Sequence, residues 1–315
     1  MKQRKLRPAP VWVRSLSKVI PRLPAGRYRA IELVTRRPPA PFLMELPNGC
    51  SFTCDLRDAI AREVCFTGVY GALETALFKK LLGPGMVFVD VGANWGYFTL
   101  LASQLVGNSG RVISLEPDPR PFDLLHANVS RNGLSQVAIR QVAAANHQGV
   151  LTLVGYSEED GNFGTSSIVG HSQSRHFEVP AAPLDSLLRS NDVTLVHLVK
   201  IDVEGAEDLV LAGMIEGLMG QLYKCVLLEF HPTLLAARGR DVADAIAPLT
   251  ENGYRGWYLD HSQQAVRRAA YAREIEIGDC LSPLAVGGSP SRWPHAIFAP
   301  SSIDLLAILH RQAIG

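Results

Sequence analysis

A short apolar run followed at once by a glycine-rich turn constrains the fold more than any other feature of this chain. Residues 86–91 are apolar and β-branched with one acid, Asp90, and they predict a buried strand. Gly92 and Gly96 then predict a tight turn, because glycine accepts positive φ and leaves the backbone open to a ligand. From Tyr97 onward the pattern is helical, so the turn delivers a helix N-terminus, whose N–H groups favour a carboxylate or phosphate.

The spacing in this turn indicates the kind of ligand. Residues 90–96 read Asp-x-Gly-x-x-x-Gly, which differs from the Gly-x-Gly-x-x-Gly of dinucleotide-binding folds. A carboxylate at Asp90 repels a pyrophosphate and suits an ammonium group. The next predicted strand, residues 111–115, ends in Glu116, and an acid at that position typically holds ribose hydroxyls. An ammonium group, a carboxylate and a ribose together describe S-adenosylmethionine (SAM). The alternative is a purely structural turn in which Asn94 caps the helix.

Length and composition set the size and surroundings of the fold. The chain has 315 residues, of which 47% are hydrophobic. That is enough for one α/β domain of about 200–250 residues plus an extension, or for two domains. The net charge of +1 gives no overall field that attracts nucleic acid. The five cysteines form no Cys-x-x-Cys pair, which indicates reduced thiols in a cytoplasmic protein.

The first 40 residues are basic and rich in proline, with Glu32 as their single acid. This composition predicts an arm that lies loosely on the surface. Arg14 and Lys18 interrupt its apolar stretch, which argues against a signal peptide, and no apolar run of about 18 residues predicts a membrane span. An alternative is an amphipathic helix that contacts an anionic membrane surface or a partner protein. Its apolar face would consist of Trp12, Leu16, Val19 and Ile20.

We expect four segments along the chain. A basic arm covers residues 1–40, a hairpin and a helix cover 41–85, the main domain covers 86–300, and a C-terminal helix covers 301–315. The hairpin is predicted from two short apolar runs on either side of Pro47-Asn48-Gly49, which is a strong turn signal.

Within the main domain, predicted strands alternate with predicted helices. This order predicts a mostly parallel sheet with helices on both faces, and ligands in such sheets bind outside the carboxyl ends of the strands. Ionisable residues are concentrated at those ends, namely Asp90, Glu116, Asp202, Glu204, Glu229 and His231. Residues 155–177 are polar and rich in Gly and Ser, and their length favours a functional loop over a plain connection.

Lys200, Asp202 and Glu204 alternate at the end of one predicted strand, so we expect their side chains on one face. A lysine beside two carboxylates forms an ion-paired network and keeps the acids ionised. Such a group is able to take a proton from a hydroxyl, to orient a substrate or to bind Mg²⁺. The alternative is a structural salt-bridge cluster in which Glu204 or Glu207 caps the next helix.

Glu229 and His231 form a second candidate group, because residues two apart on an extended segment share a face. A neutral imidazole is a competent base near neutral pH. The alternative is a loop histidine that precedes a helix. The sequence has no Cys/His cluster with zinc spacing and no Gly-x-Ser-x-Gly, so we expect neither a zinc site nor a serine hydrolase.

Four stretches of the chain resemble the FkbM-type methyltransferases: residues 89–97, 115–117, 199–207 and 228–232. The resemblance covers about residues 70–260. It implies a class I methyltransferase (Rossmann-like) fold, in which a seven-stranded, mostly parallel sheet has an antiparallel final strand. It also implies SAM as the cofactor and O-methylation of a hydroxyl, with sugars and polyketide-type natural products among the family's substrates.

The resemblance also implies roles for individual residues. Glu116 matches the acid that holds the ribose. Glu74 is a loose match to the Tyr-Glu pair that relatives place before the first motif, which implies that it binds the cofactor. The residues that match the motif for the methionine end of SAM are Asp90, Gly92, Asn94 and Gly96. The residues expected toward the reacting methyl group are Asp202, Glu204 and His231, with Lys200 beside them.

Three functions are compatible with these features. The leading one is a cytoplasmic SAM-dependent O-methyltransferase that acts on a small molecule, a sugar or a natural product. A NAD-type oxidoreductase is an alternative, although Asp90 stands where its first glycine belongs. A non-catalytic binding protein that works through the basic arm is another. We expect no nucleic-acid partner, a possible homo-oligomer, and acceptor contacts from residues 155–177, the hairpin and residues 259–294.

Overall fold

The computed structural model describes residues 6–23, 26–155, 166–169, 175–271, 275–284 and 295–310. Most of the functional loop predicted at 155–177, and part of the segment 259–294, lie outside the described residues.

Strands are distributed along the whole described chain. In order they are β1 (Arg7–Pro8), β2 (Phe42–Glu45), β3 (Ser51–Cys54), β4 (Val87–Val91), β5 (Arg111–Leu115), β6 (Val137–Arg140), β7 (Ala143–Ala144), β8 (Gly149–Gly155), β9 (Ser166–Ser167), β10 (Arg175–Ala182), β11 (Leu198–Ile201), β12 (Val226–Glu229), β13 (Tyr254–Leu259), β14 (Leu281–Pro283) and β15 (His295–Pro300).

Helices occupy most of the intervals between them. In order they are α1 (Val11–Val19), α2 (Arg27–Val34), α3 (Ala59–Thr67), α4 (Ala72–Leu81), α5 (Tyr97–Val106), α6 (Pro119–Arg131), α7 (Leu184–Arg189), α8 (Glu207–Ala212), α9 (Ile215–Met219), α10 (Pro232–Ala237), α11 (Val242–Glu251), α12 (Gln263–Tyr271) and α13 (Leu305–His310). In the part of the chain that the structure describes, none of these helices is long and apolar enough to cross a membrane.

The main sheet has the order β14-β13-β15-β12-β11-β4-β5-β6. Strands β12, β11, β4, β5 and β6 are parallel, and β15 is antiparallel to both of its neighbours, β12 and β13. The α/β fold with an antiparallel final strand is therefore confirmed. The expected seven strands are joined by a short eighth, because Leu281–Pro283 pairs with Trp257–Leu259 at the edge.

Helices cover both faces of this sheet, as predicted, because strand residues alternate in direction. Phe88 and Leu198 pack on one face in a cluster that includes residues of α4 and α5. Val89 and Val199 pack on the other face with residues of α8 and α11. The core is thus divided into two layers by the sheet itself.

A small second sheet, with the order β7-β10-β8-β9, stands next to the carboxyl ends of the main strands. Its longest strand, β10 (Arg175–Ala182), pairs antiparallel with β8 along seven residues of β8. The polar composition of residues 155–177 led us to expect a loop there, and that loop overlaps the first three residues of β10. The pairing with β8 supplies hydrogen bonds and a buried inner face that the local composition of β10 does not reveal.

The N-terminal segment is folded against the body of the protein. The predicted hairpin is present, since β2 and β3 pair antiparallel around a turn in which Gly49 has a φ of 81°. The expectation of a loosely ordered arm is wrong for residues 6–23 and 26–40, because Val13, Ile20 and Ile31 are buried in the same cluster as Phe88. The alternative apolar face is split. Leu16 packs against the core, whereas Trp12 and Val19 are exposed.

Candidate functional site

The turn after β4 is shaped by two glycines that lie in the left-handed region. Gly92 has a φ of 80°, and a Cβ at this position would stand 1.8 Å from the carbonyl oxygen of Asp202. Gly96 has a φ of 89°, and its Cβ would stand 2.6 Å from Leu125 Cδ1 on α6. Both positions therefore require glycine for two reasons, the backbone conformation and the close approach of a neighbouring element. The turn brings the ends of β4 and β11 together.

Glu116, just after β5, is held by the backbone of two neighbouring segments. Its Oε2 accepts a hydrogen bond from the Asn94 N–H at 2.8 Å, and its Oε1 accepts one from the Asp118 N–H at 2.9 Å. Burial raises the pKa of Glu116 to about 8, although the two N–H groups act in the opposite direction. The carboxylate is thus fixed in place with lone pairs left for hydroxyl donors.

A cavity of about 190 Å³, here called the first cavity, opens at the carboxyl ends of β4, β5 and β11. Its apolar walls include Leu115 of the main sheet, Leu153 of the second sheet and Val142, which lies between β6 and β7. Six of the residues selected from the sequence line this cavity: Gly92, Asn94, Glu116, Asp202, Glu204 and Glu229. The predicted convergence of acids at one edge of the sheet is therefore present.

Asp90 lies beneath the turn and is 1% exposed, so its carboxylate faces the protein interior instead of a ligand's ammonium group. Its Oδ2 accepts a hydrogen bond from Thr99 Oγ1 at 2.7 Å. The register of β4 and β11 pairs Asp90 with Lys200, so their side chains share a face. Burial raises the pKa of Asp90, and the charge of Lys200 opposes this shift. Asp90 thus ties β4 to α5 and β11 and supports the turn from below.

The ion-paired network predicted around Lys200 is present but smaller than expected. Lys200 Nζ lies 3.0 Å from Asp202 Oδ2 and 5.2 Å from the centroid of the Phe98 ring. Burial opposes the charge on Lys200, but Asp202, Asp90 and Glu229 outweigh it and raise the pKa of the lysine. We expected the chain to stay extended as far as Glu204. It does not, because Glu204 has a φ of 49°. Glu204 turns toward His231.

His231 is held at both ring nitrogens. Its Nδ1 lies 2.8 Å from Glu207 Oε1, and its Nε2 lies 3.3 Å from Glu204 Oε2. Burial lowers the pKa of His231, but the hydrogen bond to Glu207 and the charges of Glu204 and Asp202 outweigh it and raise the pKa to about 9. We expected His231 to be a neutral base, but its raised pKa makes it a cation near neutral pH. Its ring links the side chains of Glu207 and Glu204.

A second cavity, of about 250 Å³, adjoins the first. Tyr70 and Glu229 line both cavities, so they form the boundary between them. Lys200 and Glu74 line the second cavity. The resemblance assigned Glu74 to the cofactor, but the structure places it with Lys200 on the other side of this boundary.

Two histidines that sequence reasoning missed, His261 and His295, line the second cavity beside Glu74. Their rings stack at 3.8 Å and are nearly parallel, at 6°. His295 Nε2 also lies 3.1 Å from Glu229 Oε2. Burial acts against the charge on Glu229, but His295, Lys200 and His231 lower its pKa to about 2. These histidines follow β13 and begin β15, far apart in sequence, so no local motif marks them.

The strand order and the position of the first cavity define the class of protein. The strands β6, β5, β4, β11, β12, β15 and β13 follow one another across the sheet, with β15 antiparallel to its neighbours. The sequence order reverses between β4 and β11, and the first cavity opens at that point. This is the arrangement of a class I methyltransferase.

Residues 90–255, just over half of the 315, match the Methyltransferase FkbM domain, and the chain belongs to this family. The cofactor of the family, and of this chain, is SAM.

Curated relatives match over shorter stretches. The 31-O-demethyl-FK506 methyltransferase FkbM of Streptomyces tacrolimicus is 29% identical over 161 residues, which are 42% of this chain and 61% of that protein. A probable cobalt-precorrin-6B C(15)-methyltransferase (decarboxylating) of Sulfolobus acidocaldarius is 38% identical over 64 residues, which are 20% of this chain and 33% of that protein. The chain thus spans less than two thirds of the length of these relatives.

Solved structures of other methyltransferases cover most of the chain at low identity. The methyltransferase FkbM from Methylobacillus flagellatus KT is 14% identical with a TM-score of 0.36, and covers 86% of this chain and 58% of that one. An O-methyltransferase from Bacillus cereus, solved in complex with SAH, is 12% identical with a TM-score of 0.39, and covers 73% of this chain and 81% of that one.

Proposed function

We propose that the protein is an O-methyltransferase that moves the methyl group of SAM to a hydroxyl of a small-molecule acceptor. The observation that carries this proposal is the meeting of the two cavities at Tyr70 and Glu229. The first cavity has the features that suit a nucleoside. The second is lined by carboxylates, imidazoles and a lysine, which hydrogen-bond hydroxyl groups well. Cofactor and acceptor would then meet at the shared wall.

The residues of the first cavity fit SAM. Glu116 offers a fixed carboxylate with lone pairs for the two ribose hydroxyls. Leu115, Val142 and Leu153 provide apolar surface for an adenine ring. Gly92 leaves the backbone of the turn uncovered, so a polar chain is able to lie against it.

When bound, SAM supplies a methyl group that its positive sulfonium already activates. The work left to the protein is to hold the acceptor hydroxyl in line, to exclude water and to accept the hydroxyl proton. Tyr70 and Phe98 provide aromatic walls for the second cavity, and Lys200 and Glu229 provide its charges. This mixture favours an acceptor with several hydroxyl groups on a partly apolar skeleton.

We assign the acceptance of the proton to Asp202. Burial and the charge of Glu229 raise the pKa of Asp202, while Lys200 and His231 lower it. A raised pKa makes a carboxylate a stronger base, and the ion pair with Lys200 at 3.0 Å keeps Asp202 in place. His231 then serves to position Glu204 at the edge of the first cavity, and it takes no proton itself.

The proposal is tested with wild type, D202N and a matched D123N control, because Asp123 is an exposed acid on α6. Calorimetry measures binding of the demethylated cofactor SAH and of NAD, and SAH release is followed with a panel of sugars and polyketide alcohols. We expect D202N to bind SAH as wild type does and to lose about 10²–10⁴-fold in turnover. Full turnover by D202N removes Asp202 from the mechanism, and binding of NAD without SAH removes the proposed function.

A further inference from the structure

We propose that Glu74, His261 and His295 form a binding site for a divalent transition-metal ion in the wall of the second cavity. The three residues come from α4, from the segment between β13 and α12, and from the first position of β15. His261 Nε2 lies 2.6 Å from Glu74 Oε1, and His295 Nε2 lies 3.4 Å from the same oxygen. All three ligand atoms fall within 4.8 Å of one another. Three segments that are distant in sequence thus bring two imidazole nitrogens and one carboxylate oxygen close together.

A second observation is that the polar atoms at this point lack hydrogen bonds. Glu74 is 4% exposed, and among the described residues neither of its carboxylate oxygens has a hydrogen-bond partner. His261 Nε2 also lacks one, so its 2.6 Å contact with Glu74 is not aligned as a hydrogen bond. A buried carboxylate without hydrogen bonds destabilises the folded protein. A cation bound to Glu74 would compensate for this cost.

A proton on His295 is directed mainly to Glu229, which lies 3.1 Å from its Nε2, and a second proton on His261 is a poor substitute for that cation. The two rings are stacked at 3.8 Å, so two imidazolium charges would repel each other. The rings are also parallel within 6°, which directs their nitrogen lone pairs side by side. Coordination therefore requires one ring to turn. His261 is the ring placed to do so, because it precedes α12 and is partly exposed, whereas His295 begins a paired strand.

The donor set indicates which ions fit. Two imidazoles and one carboxylate suit Zn²⁺, Co²⁺ and Fe²⁺, whereas Mg²⁺ and Ca²⁺ prefer oxygen ligands alone. Asp202, Glu229 and His231 also bring ligand atoms within 4.8 Å. That group, however, contains the cationic His231, and the ammonium of Lys200 lies 3.0 Å from its Asp202. The repulsion of two nearby cations makes it the weaker metal site.

The role of the ion rests on the proposed function. Glu74, His261 and His295 line the second cavity, so an ion that they held would be accessible to an acceptor in that cavity. An ion there would bind the acceptor hydroxyl and lower its pKa, which helps transfer of the proton to a protein carboxylate. Binding of the ion itself requires neither SAM nor an acceptor.

The site is tested on the full chain, without an affinity tag, after treatment with a chelator. Zn²⁺ is titrated by calorimetry and Co²⁺ by visible absorption, in a C280S background because Cys280 is a partly exposed thiol. We expect one ion per chain, and a loss of about a hundredfold or more in affinity in H261A, H295A and E74Q. H126A, which removes an exposed histidine of α6, should bind as the parent does.

Two results overturn the proposal. One is that the parent chain binds neither Zn²⁺ nor Co²⁺, a measurement that depends on no variant folding correctly. The other is that H261A, shown by thermal denaturation to be folded, binds the ion as tightly as H126A. SAH binding is measured on the same samples. A chain that binds SAH and no metal refutes this inference alone, and one that binds the metal and no SAH refutes the proposed function alone.

Discussion

Glu116 and Asn94 are joined across the ends of two adjacent strands by a hydrogen bond of 2.8 Å from the Asn94 N–H to Glu116 Oε2. Because the other oxygen accepts the Asp118 N–H, the carboxylate links the turn after β4 to the segment that begins α6. A ligand that enters the first cavity therefore meets a carboxylate whose position is already set.

Binding of SAH should become tighter as pH rises. Burial raises the pKa of Glu116 to about 8, so the ligand-free protein keeps a proton on it below that pH. Ribose hydroxyls donate best to the ionised carboxylate, and binding below pH 8 must therefore release the proton. We expect roughly 25-fold tighter binding at pH 8.5 than at pH 6.5. Calorimetry in buffers with different ionisation enthalpies measures both the affinity and the released proton.

The control for that experiment is E116Q, which keeps the shape of the side chain and cannot ionise. It should bind SAH more weakly than wild type and with little change between the two pH values. A wild-type affinity that stays flat over the same range would falsify the assignment of Glu116 to the ribose.

Replacement of Gly92 should be far more damaging than replacement of another glycine with positive φ. In G92A the new Cβ meets the Asp202 carbonyl oxygen at 1.8 Å, so the ends of β4 and β11 must separate. Gly133 has a φ of 62°, and a Cβ added there would meet nothing within 4 Å, which makes G133A a matched control. We expect G133A to cost about 1 kcal/mol and G92A more than about 3 kcal/mol in the free energy of unfolding. Urea denaturation measures both, and equal costs would contradict the close approach.

Loss of Lys200 should destabilise the protein through the acids that it neutralises. K200M leaves the buried carboxylate of Asp90 and the partly buried carboxylate of Asp202 without their shared cation, which should cost about 3–5 kcal/mol. Adding D90N removes one of the uncompensated charges, so the double variant should recover part of the loss. K79M on the exposed side of α4 is the control. If D90N lowers the stability of K200M further, Asp90 does not depend on Lys200 for its compensation.

The contribution of His231 to stability should disappear at alkaline pH. Contacts with Glu207 and Glu204 raise its folded pKa to about 9, above the 6.5 expected in the unfolded chain. The stabilisation is therefore complete below pH 6.5 and is lost as pH rises toward 9. The difference in unfolding free energy between wild type and H231Q should shrink by roughly 2–3 kcal/mol between pH 6 and 9.5. A constant difference over this range would indicate packing alone.

Elements with strong local signals were predicted to the residue. The strand predicted at 111–115 matches the observed β5. In α6 the Asp118 side chain accepts a hydrogen bond from the Arg120 N–H, and Pro119 occupies the first turn, so the start of this helix is encoded locally. The acids at the strand ends were found because parallel strands place their carboxyl ends at one edge.

Features that depend on partners distant in sequence were missed. His295 faces Glu229 because β15 and β12 pair antiparallel in a register that places these two residues opposite each other. The sequence around residue 295 contains no local signal for this pairing. The charge of His231 likewise depends on Glu207, 24 residues away. The prediction of a loose arm was wrong because it relied on the basic charge of the N-terminal segment. It gave too little weight to the spacing of Val13, Ile20 and Ile31, which are buried.

The place of β15 in the sheet has a consequence for how the protein is assembled during synthesis. β15 is the last of the eight strands in the chain, yet it lies between β12 and β13 and pairs with both. A nascent chain that stops short of residue 295 exposes two unpaired strand edges, which invites aggregation. It also lacks the histidine that stands opposite Glu229. The second cavity is therefore complete only when nearly the whole of the described chain has left the ribosome.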